Sequence, residues 1–438
     1  MTAKSIDRRP QVEVALVIHP IRPRETSLRS PEARLDEAVG LAEALDLDIR
    51  QSLIAPLRAV TPATLFGSGK VQEIATVCDG EEIDVVVIDD ALTPVQQRNL
   101  ERAWKVKVID RTGLILEIFA RRARTREGKL QVELARLDYE RSRLVRTWTH
   151  LERQRGGFGV MGGPGETQIE SDRRLLMDKM VRLKKDLLDV GRTRGLQRQA
   201  RRRVPYPTIA LVGYTNAGKS TLFNRLTEAK VLAKDMLFAT LDPTLRQLKL
   251  PGGRPAIISD TVGFISDLPH ELVEAFRATL EEVRDADIVL HVRDIAGADS
   301  DAQNEDVRKV MTELGVGPDS GKRIVEVWNK TDQLDGEARE AVLGRAQRAG
   351  AAAVSAITGE GCEALLAQLG GLVDEGPEVV FDLEASDGEA LAWLYRHGRI
   401  TAREDEEGRV IVAARLGPQA LGQFEQLRPM ALIRAAAE

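Results

Sequence analysis

The order of apolar and polar positions divides the chain into four stretches. Over residues 1–127 short apolar runs alternate with amphipathic segments. Val12–Ile18 is one run, Val85-Val86-Val87-Ile88 is another that ends in Asp89-Asp90, and Lys107-Val108-Ile109 is a third. Between them Leu35, Ala38, Leu41 and Leu45 keep helical spacing, and Pro94 opens a polar helix. Continuous apolar runs separated by helices predict an α/β domain with a parallel sheet covered on both faces.

Residues 128–203 follow a different rule. Leu130, Leu134, Leu137, Leu144, Trp148 and Leu151 recur at three- and four-residue spacing, and Ile169, Leu176, Met180, Leu183, Leu187 and Val190 do the same. Two such helices in succession predict an antiparallel hairpin. Its joint, Gly156–Gly165, holds six glycines in ten residues, more than a turn needs. That composition fits either a tip that lies close against a partner or a loose connector. Alternation of strand and helix resumes over residues 204–376, and residues 377–438 read as a small α+β domain. Its strands are expected near Val379–Leu383, Ile400 and Val410–Ala413, with helices through Leu391–Tyr395 and after Pro418.

Composition narrows the class. At roughly 100–200 residues per domain, 438 residues allow two to four domains. No apolar run is long enough to cross a membrane. The segment MTAKSIDRRP lacks a signal-peptide core, so a cytoplasmic location is expected. Cys78 and Cys362 are the two cysteines and are far apart, which excludes a disulfide framework and a cysteine zinc site. The net charge of −5 hides an asymmetry. From Arg121 to Arg203 there are 23 Lys and Arg against 11 Asp and Glu, a local charge of +12. Such a segment fits a polyanion, above all nucleic acid, or else a solvated helical face.

The chemistry is concentrated in the third stretch. The apolar run Ile209–Val212 leads into Gly213-Tyr214-Thr215-Asn216-Ala217-Gly218-Lys219-Ser220-Thr221, a complete phosphate-loop spacing between a strand and a helix. Glycines let backbone N–H groups curve around phosphates, the helix N-terminus favours negative charge, Lys219 reaches the outer phosphates, and Ser220 offers a hydroxyl to Mg²⁺. Gly67-Ser68-Gly69-Lys70 fails the same test, because Thr64 and Val71 stand where Gly and Ser or Thr are needed. Those residues are expected to form a turn before a helix, with a basic loop tip for a partner as the alternative.

A second apolar strand, Ala256–Ser259, ends in Asp260-Thr261-Val262-Gly263. The carboxylate suits the Mg²⁺ shell and the Gly263 N–H suits a γ-phosphate. Then Val325–Trp328 leads into Asn329-Lys330-Thr331-Asp332. A carboxylate at Asp332 accepts two hydrogen bonds from the N–H edge of guanine, which adenine lacks. Ser355, Ala356 and Ile357 follow the next strand and fit the loop that contacts the base. In order and interval this set looks like that of small regulatory GTPases. Between Ser220 and Asp260, Thr240 and Thr244 both qualify as the threonine that joins the Mg²⁺ shell only with γ-phosphate.

Taken together, the chain resembles the HflX-type translational GTPases over nearly its whole length. Gly163-Pro164-Gly165-Glu166-Thr167-Gln168-Ile169-Glu170, the stretch Phe238–Thr244, and Asp260–Ile265 running into Leu268-Pro269 carry the resemblance. The resemblance favours Thr240 over Thr244 and brings Phe238, Ala239, Leu241 and Asp242 into the GTP-binding set. It implies GTP-dependent binding to the 50S ribosomal subunit and its rRNA, with the hairpin and N-terminal domain reaching toward the peptidyl-transferase region. It also implies splitting or rescue of stalled ribosomes under stress. A monomer is expected.

No catalytic base is assigned. Where Ras-like enzymes place a glutamine after Asp-x-x-Gly, this chain has Phe264, which cannot hydrogen-bond water. Slow hydrolysis accelerated by a partner is therefore expected. Asn216 raises K⁺ as a further cofactor, a loop-stabilising hydrogen bond being the alternative. A nucleotide-stabilised RNA-binding scaffold and a phosphate-loop kinase are the competing functions.

Overall fold

The computed structural model describes residues 12–23, 29–154, 164–202, 206–228, 237–251, 255–266, 277–317, 320–373, 378–406, 408–428 and 432–435. The chain divides into two compact units. One comprises Met1–Val190, Lys234–Asp242 and Ile265–Ala278, and the other Gly191–Ala233, Pro243–Phe264 and Thr279–Glu438.

In the first unit the elements follow as β1 (Val14–Ile21), α1 (Pro31–Glu43), β2 (Asp48–Pro56), α2 (Ser68–Gly80), β3 (Val85–Ile88), α3 (Pro94–Trp104), β4 (Lys107–Asp110) and α4 (Arg111–Arg122). The strands form one parallel sheet in the order β2-β1-β3-β4. All four residues of β3 are buried, as expected of a central parallel strand. Leu16, Ile18, Val86 and Ile88 pack with Ile74, Leu100 and Trp104 in the core. The edge strand β2 is harder to see: Asp48-Ile49-Arg50-Gln51-Ser52 is mostly polar, the apolar stretch Leu53-Ile54-Ala55 is short, and Ala55 is its one fully buried residue.

Local signals set the helix starts. Ser30 caps α1 through Ala33 N, and Thr93 with Gln96 forms a capping box before α3, with Pro94 in its first turn. Gly67 caps α2, and Lys70 pairs with Glu73 at 2.8 Å, so Gly67–Lys70 is the start of a helix.

Helices α5 (Arg126–Gln154) and α6 (Pro164–Arg202) realise the hairpin's periodicity. Leu137, Met180 and Leu183 are buried together, with Leu130, Leu134 and Leu176 against them, and Lys179 pairs with Glu133 at 2.7 Å. Low numbers on α5 meet high numbers on α6, the antiparallel arrangement. The side chains of Leu144, Trp148, Leu151 and Ile169, and the joint at residues 156–163, lie outside the described residues.

The second unit holds β5 (Thr208–Gly213), α7 (Lys219–Thr227), β6 (Thr244–Lys249), β7 (Pro255–Asp260), β8 (Ile288–Asp294), β9 (Arg323–Asn329) and β10 (Ala352–Ala353). Its sheet runs β10-β9-β8-β5-β7-β6, parallel except for β6 against β7. Ile209, Leu211, Ile258, Leu290 and Val327 share a core with Phe223, Leu365 and Leu369. An antiparallel sheet of β11 (Glu378–Glu384), β12 (Arg399–Glu406), β13 (Arg409–Arg415) and β14 (Leu432–Ala435), ordered β12-β13-β11-β14, carries the helices Gly388–His397 and Pro418–Leu427. Phe381 of the sheet meets Phe424 edge-on at 4.7 Å. Strand β14 is absent from the sequence reading, since Ala-Leu-Ile-Arg-Ala is too short and unpatterned to declare itself.

Candidate functional site

The site is built at the C-terminal ends of β5, β7 and β9. Three glycines are fixed by close approach. A Cβ on Gly213 (φ 151°) would run into the Val292 carbonyl, and one on Gly218 (φ 87°) into the Asn329 amide. At Gly263 it would lie 2.9 Å from Thr215 Cα and 3.0 Å from Lys219 Nζ. The phosphate loop is tied to the Asp260–Gly263 segment by backbone bonds. Thr215 N donates to Phe264 O at 2.7 Å, and Phe264 N donates to Gly213 O at 3.1 Å. Phe264 is thereby buried, with its backbone engaged and its ring in the interior.

Lys219, the first residue of α7, is also buried. Its Nζ donates to the carbonyls of Gly213 (3.1 Å) and Tyr214 (2.7 Å). Burial pushes its ammonium down to about 8, against an opposing pull from Asp260. A polyphosphate beside it would favour the ammonium and push that value back up. Ser220 Oγ donates to Asp260 Oδ2 at 2.7 Å. A hydroxyl and a carboxylate in contact form an all-oxygen donor set, which fits Mg²⁺. Thr215 Oγ1 is buried without a hydrogen-bond partner among the described residues, a polar atom facing the cradle. Asn216 is exposed and left-handed (φ 59°).

Asn329 joins three motifs. Its Nδ2 donates to Ala217 O at 2.8 Å, and its Oδ1 accepts from Ala356 N at 3.0 Å. One buried amide thus links the phosphate loop to the loop after β10. Lys330 is left-handed (φ 66°) and pairs with Asp294 at 2.8 Å. Thr331 is buried, while Asp332, on the single turn Thr331–Gln333, is exposed. Ser355 Oγ accepts from Thr358 N at 3.1 Å. Arg225, in the last turn of α7, donates through Nε to Ala356 O at 3.1 Å and through Nη2 to Ile357 O. The sequence reading missed Arg225 and Asp294, because neither belongs to a spaced motif.

The structure therefore brings together Gly213–Thr221, Asp260–Gly263, Asn329–Asp332 and Ser355–Ile357 within the second unit. Phe238, Ala239, Thr240, Leu241 and Asp242 group with the first unit, where Phe238 packs on Phe119 and Asp242 accepts from Arg124 and Thr125. Thr244 is the first residue of β6 and pairs with Asp260 in the sheet.

A phosphate loop closing a mostly parallel sheet, with an Asn-Lys-Thr-Asp turn at the end of β9, is the arrangement of a phosphate-loop GTPase. Family models agree along the chain: a GTP-binding GTPase N-terminal region over residues 32–120, a GTP-binding GTPase middle region over 122–201, a 50S ribosome-binding GTPase over 208–330, and an HflX C-terminal domain over 341–429. The chain is 50% identical over 414 residues to GTPase HflX of Magnetococcus marinus, covering 94% of each. It is 47% identical over 329 residues to GTPase HflX of Escherichia coli, covering 75% of each. A GTP-binding protein from Sulfolobus solfataricus, solved with GDP, is 24% identical with a TM-score of 0.46, covering 82% of this chain and 98% of that one. The chain belongs to the HflX GTPase family, and it is a GTP-binding, GTP-hydrolysing enzyme with a 50S ribosome-binding GTPase domain. Among the described residues no helix is long and apolar enough to cross a membrane.

Proposed function

We propose that the chain is a GTP-driven switch that engages the 50S subunit through rRNA and splits or rescues stalled ribosomes under stress, acting as a cytoplasmic monomer. The amide of Asn329, which joins phosphate loop and base loop through two hydrogen bonds, is the observation that supports its nucleotide half. In this reading Gly213–Thr221 cradle the phosphates, Asp332 takes the guanine N–H edge, and Ser355, Ala356 and Ile357 border the base. Ser220 and Thr240 hold Mg²⁺, with Asp260 behind Ser220. The bound ion supplies positive charge where the leaving phosphate gathers negative charge. Lys219 supplies more, and Gly263 presents its N–H to the γ-phosphate. Asn216 supports a K⁺ requirement, to be read as faster hydrolysis in KCl than in NaCl.

Ribosome action is supported by family membership over the whole chain and by the +12 segment Arg121–Arg203. Co-sedimentation with 30S, 50S and 70S particles tests it. Binding to 50S particles should be stronger with a non-hydrolysable GTP analogue than with GDP, and 70S particles should dissociate. Equal binding in both nucleotide states would support the scaffold reading instead.

A further inference from the structure

Two short segments next to the nucleotide motifs are seated on the first unit. Asp242, two residues after Thr240, lies at the start of α5. Its Oδ2 accepts from Arg124 N (2.8 Å) and Thr125 N (2.9 Å), and its Oδ1 accepts from the Thr125 hydroxyl (2.5 Å). That hydroxyl in turn accepts from Gly128 N at 3.0 Å. A Cβ on Gly128 would collide with the Asp242 carboxylate, so glycine is what admits it. Nearby, Phe238 is buried edge-on against Phe119 of α4, with centroids 4.7 Å apart, and its backbone is left-handed (φ 54°). A bulky residue in that region is strained and is held there by its surroundings.

The second segment follows Gly263 by three residues. Ser266 is buried. Its Oγ donates to Glu37 Oε1 (2.9 Å) and accepts from Arg29 (3.2 Å) and Arg111 (3.2 Å), and its carbonyl accepts from Arg111 (3.0 Å). Arg111 also pairs with Asp89, which holds His19 at 2.8 Å. This cluster stands at the C-terminal ends of β1 and β3, where the strand order reverses. Open α/β sheets receive their ligands at that crevice. Here the occupant is the chain's own Ser266.

We propose that Asp242 and Ser266 are positioning residues that make the first unit a reader of the bound nucleotide. The inference rests on the reading of Thr240 and Gly263 as γ-phosphate contacts. The GDP state keeps Asp242 at the start of α5 and Ser266 in the arginine–glutamate cluster. The triphosphate draws Thr240 and Gly263 to itself, unseats both residues, and leaves the Arg124 and Thr125 N–H groups at the root of the hairpin without their acceptor.

Hydrogen exchange of the full chain, with GDP or a non-hydrolysable GTP analogue bound, tests this. The amides of Arg124 and Thr125 should exchange several-fold faster with the analogue. Gly128→Ala, which crowds Asp242 without touching the nucleotide motifs and raises helix propensity, should bring exchange at Arg124 and Thr125 in GDP up to the analogue level. Ser266→Ala should shift the binding preference several-fold toward the analogue. Equal exchange in the two states, or a difference that survives Gly128→Ala, would overturn the proposal while leaving nucleotide binding intact. Failure of the wild type to bind either nucleotide, measured in the same samples, would overturn the underlying reading as well.

Discussion

Asn329 carries no charge, yet three motifs depend on it. Truncation to Ala removes both of its hydrogen bonds and leaves Ala356 N and Ala217 O unsatisfied in the interior, at a cost of about 1–3 kcal/mol in stability. Urea unfolding should show that loss, and guanine affinity should fall with it. Asp332 makes a different prediction. Asn in its place offers a donor where guanine also offers one, so Asp332→Asn should lose at least ~10²-fold in GTP affinity and gain affinity for xanthosine triphosphate, whose ring carries a carbonyl there. Competition binding would expose an unchanged preference.

His291, buried in β8, gives the pH dependence. Desolvation pushes its imidazole down to about 4, with Glu326 opposing. The unfolded chain takes up that proton near 6.5 and the folded chain only near 4. Stability is therefore intact above the first value and falls as pH drops toward the second, by on the order of 3 kcal/mol from this group alone. His291→Gln should flatten acid unfolding across that window. At this scale the sequence singled out the phosphate loop, Asp260 and Asp332, because each stands at the interval a nucleotide would require. It was silent on Arg225, whose role arises from folding the last turn of α7 beneath the Ala356 and Ile357 carbonyls.

The hairpin shows what periodicity does and does not convey. Its apolar spacing foretold the seam of Leu137, Met180 and Leu183. It gave no hint of Leu175, Val181 and Leu188, which are exposed on α6 at 64%, 64% and 65%. The described seam is narrow, so Leu183→Ala should cost about 2 kcal/mol and raise hydrogen exchange along both helices. Replacing Arg153 and Arg155 should weaken RNA association and flatten its salt dependence, whereas an unchanged slope would make the hairpin purely structural. Edge strands escaped for the opposite reason: β2 and β6 pair through backbone while most of their side chains stay polar or half-exposed.

For the molecule as a whole, the burial of Phe264 bears on rate. Its ring is interior and its N–H and carbonyl are bound to Gly213 and Thr215, so this position has nothing to offer an attacking water. Single-turnover hydrolysis should be slow for the protein alone and faster with 50S subunits. Equal rates would place the water-orienting group within the chain. Nothing in the sequence announced that Lys234–Asp242 and Ile265–Ala278 group with the N-terminal sheet. Contacts made between residues so distant in sequence leave no periodic trace.

That sharing of segments has a consequence for synthesis. The first unit is not complete at Val190; it lacks two pieces, the last of which ends at Ala278. A nascent chain that has emerged only as far as the hairpin still has no Ser266 to fill the crevice and hydrogen-bond Arg29 and Arg111. Closure of the first unit therefore waits until Ala278 has been made, by which point part of the second unit already exists.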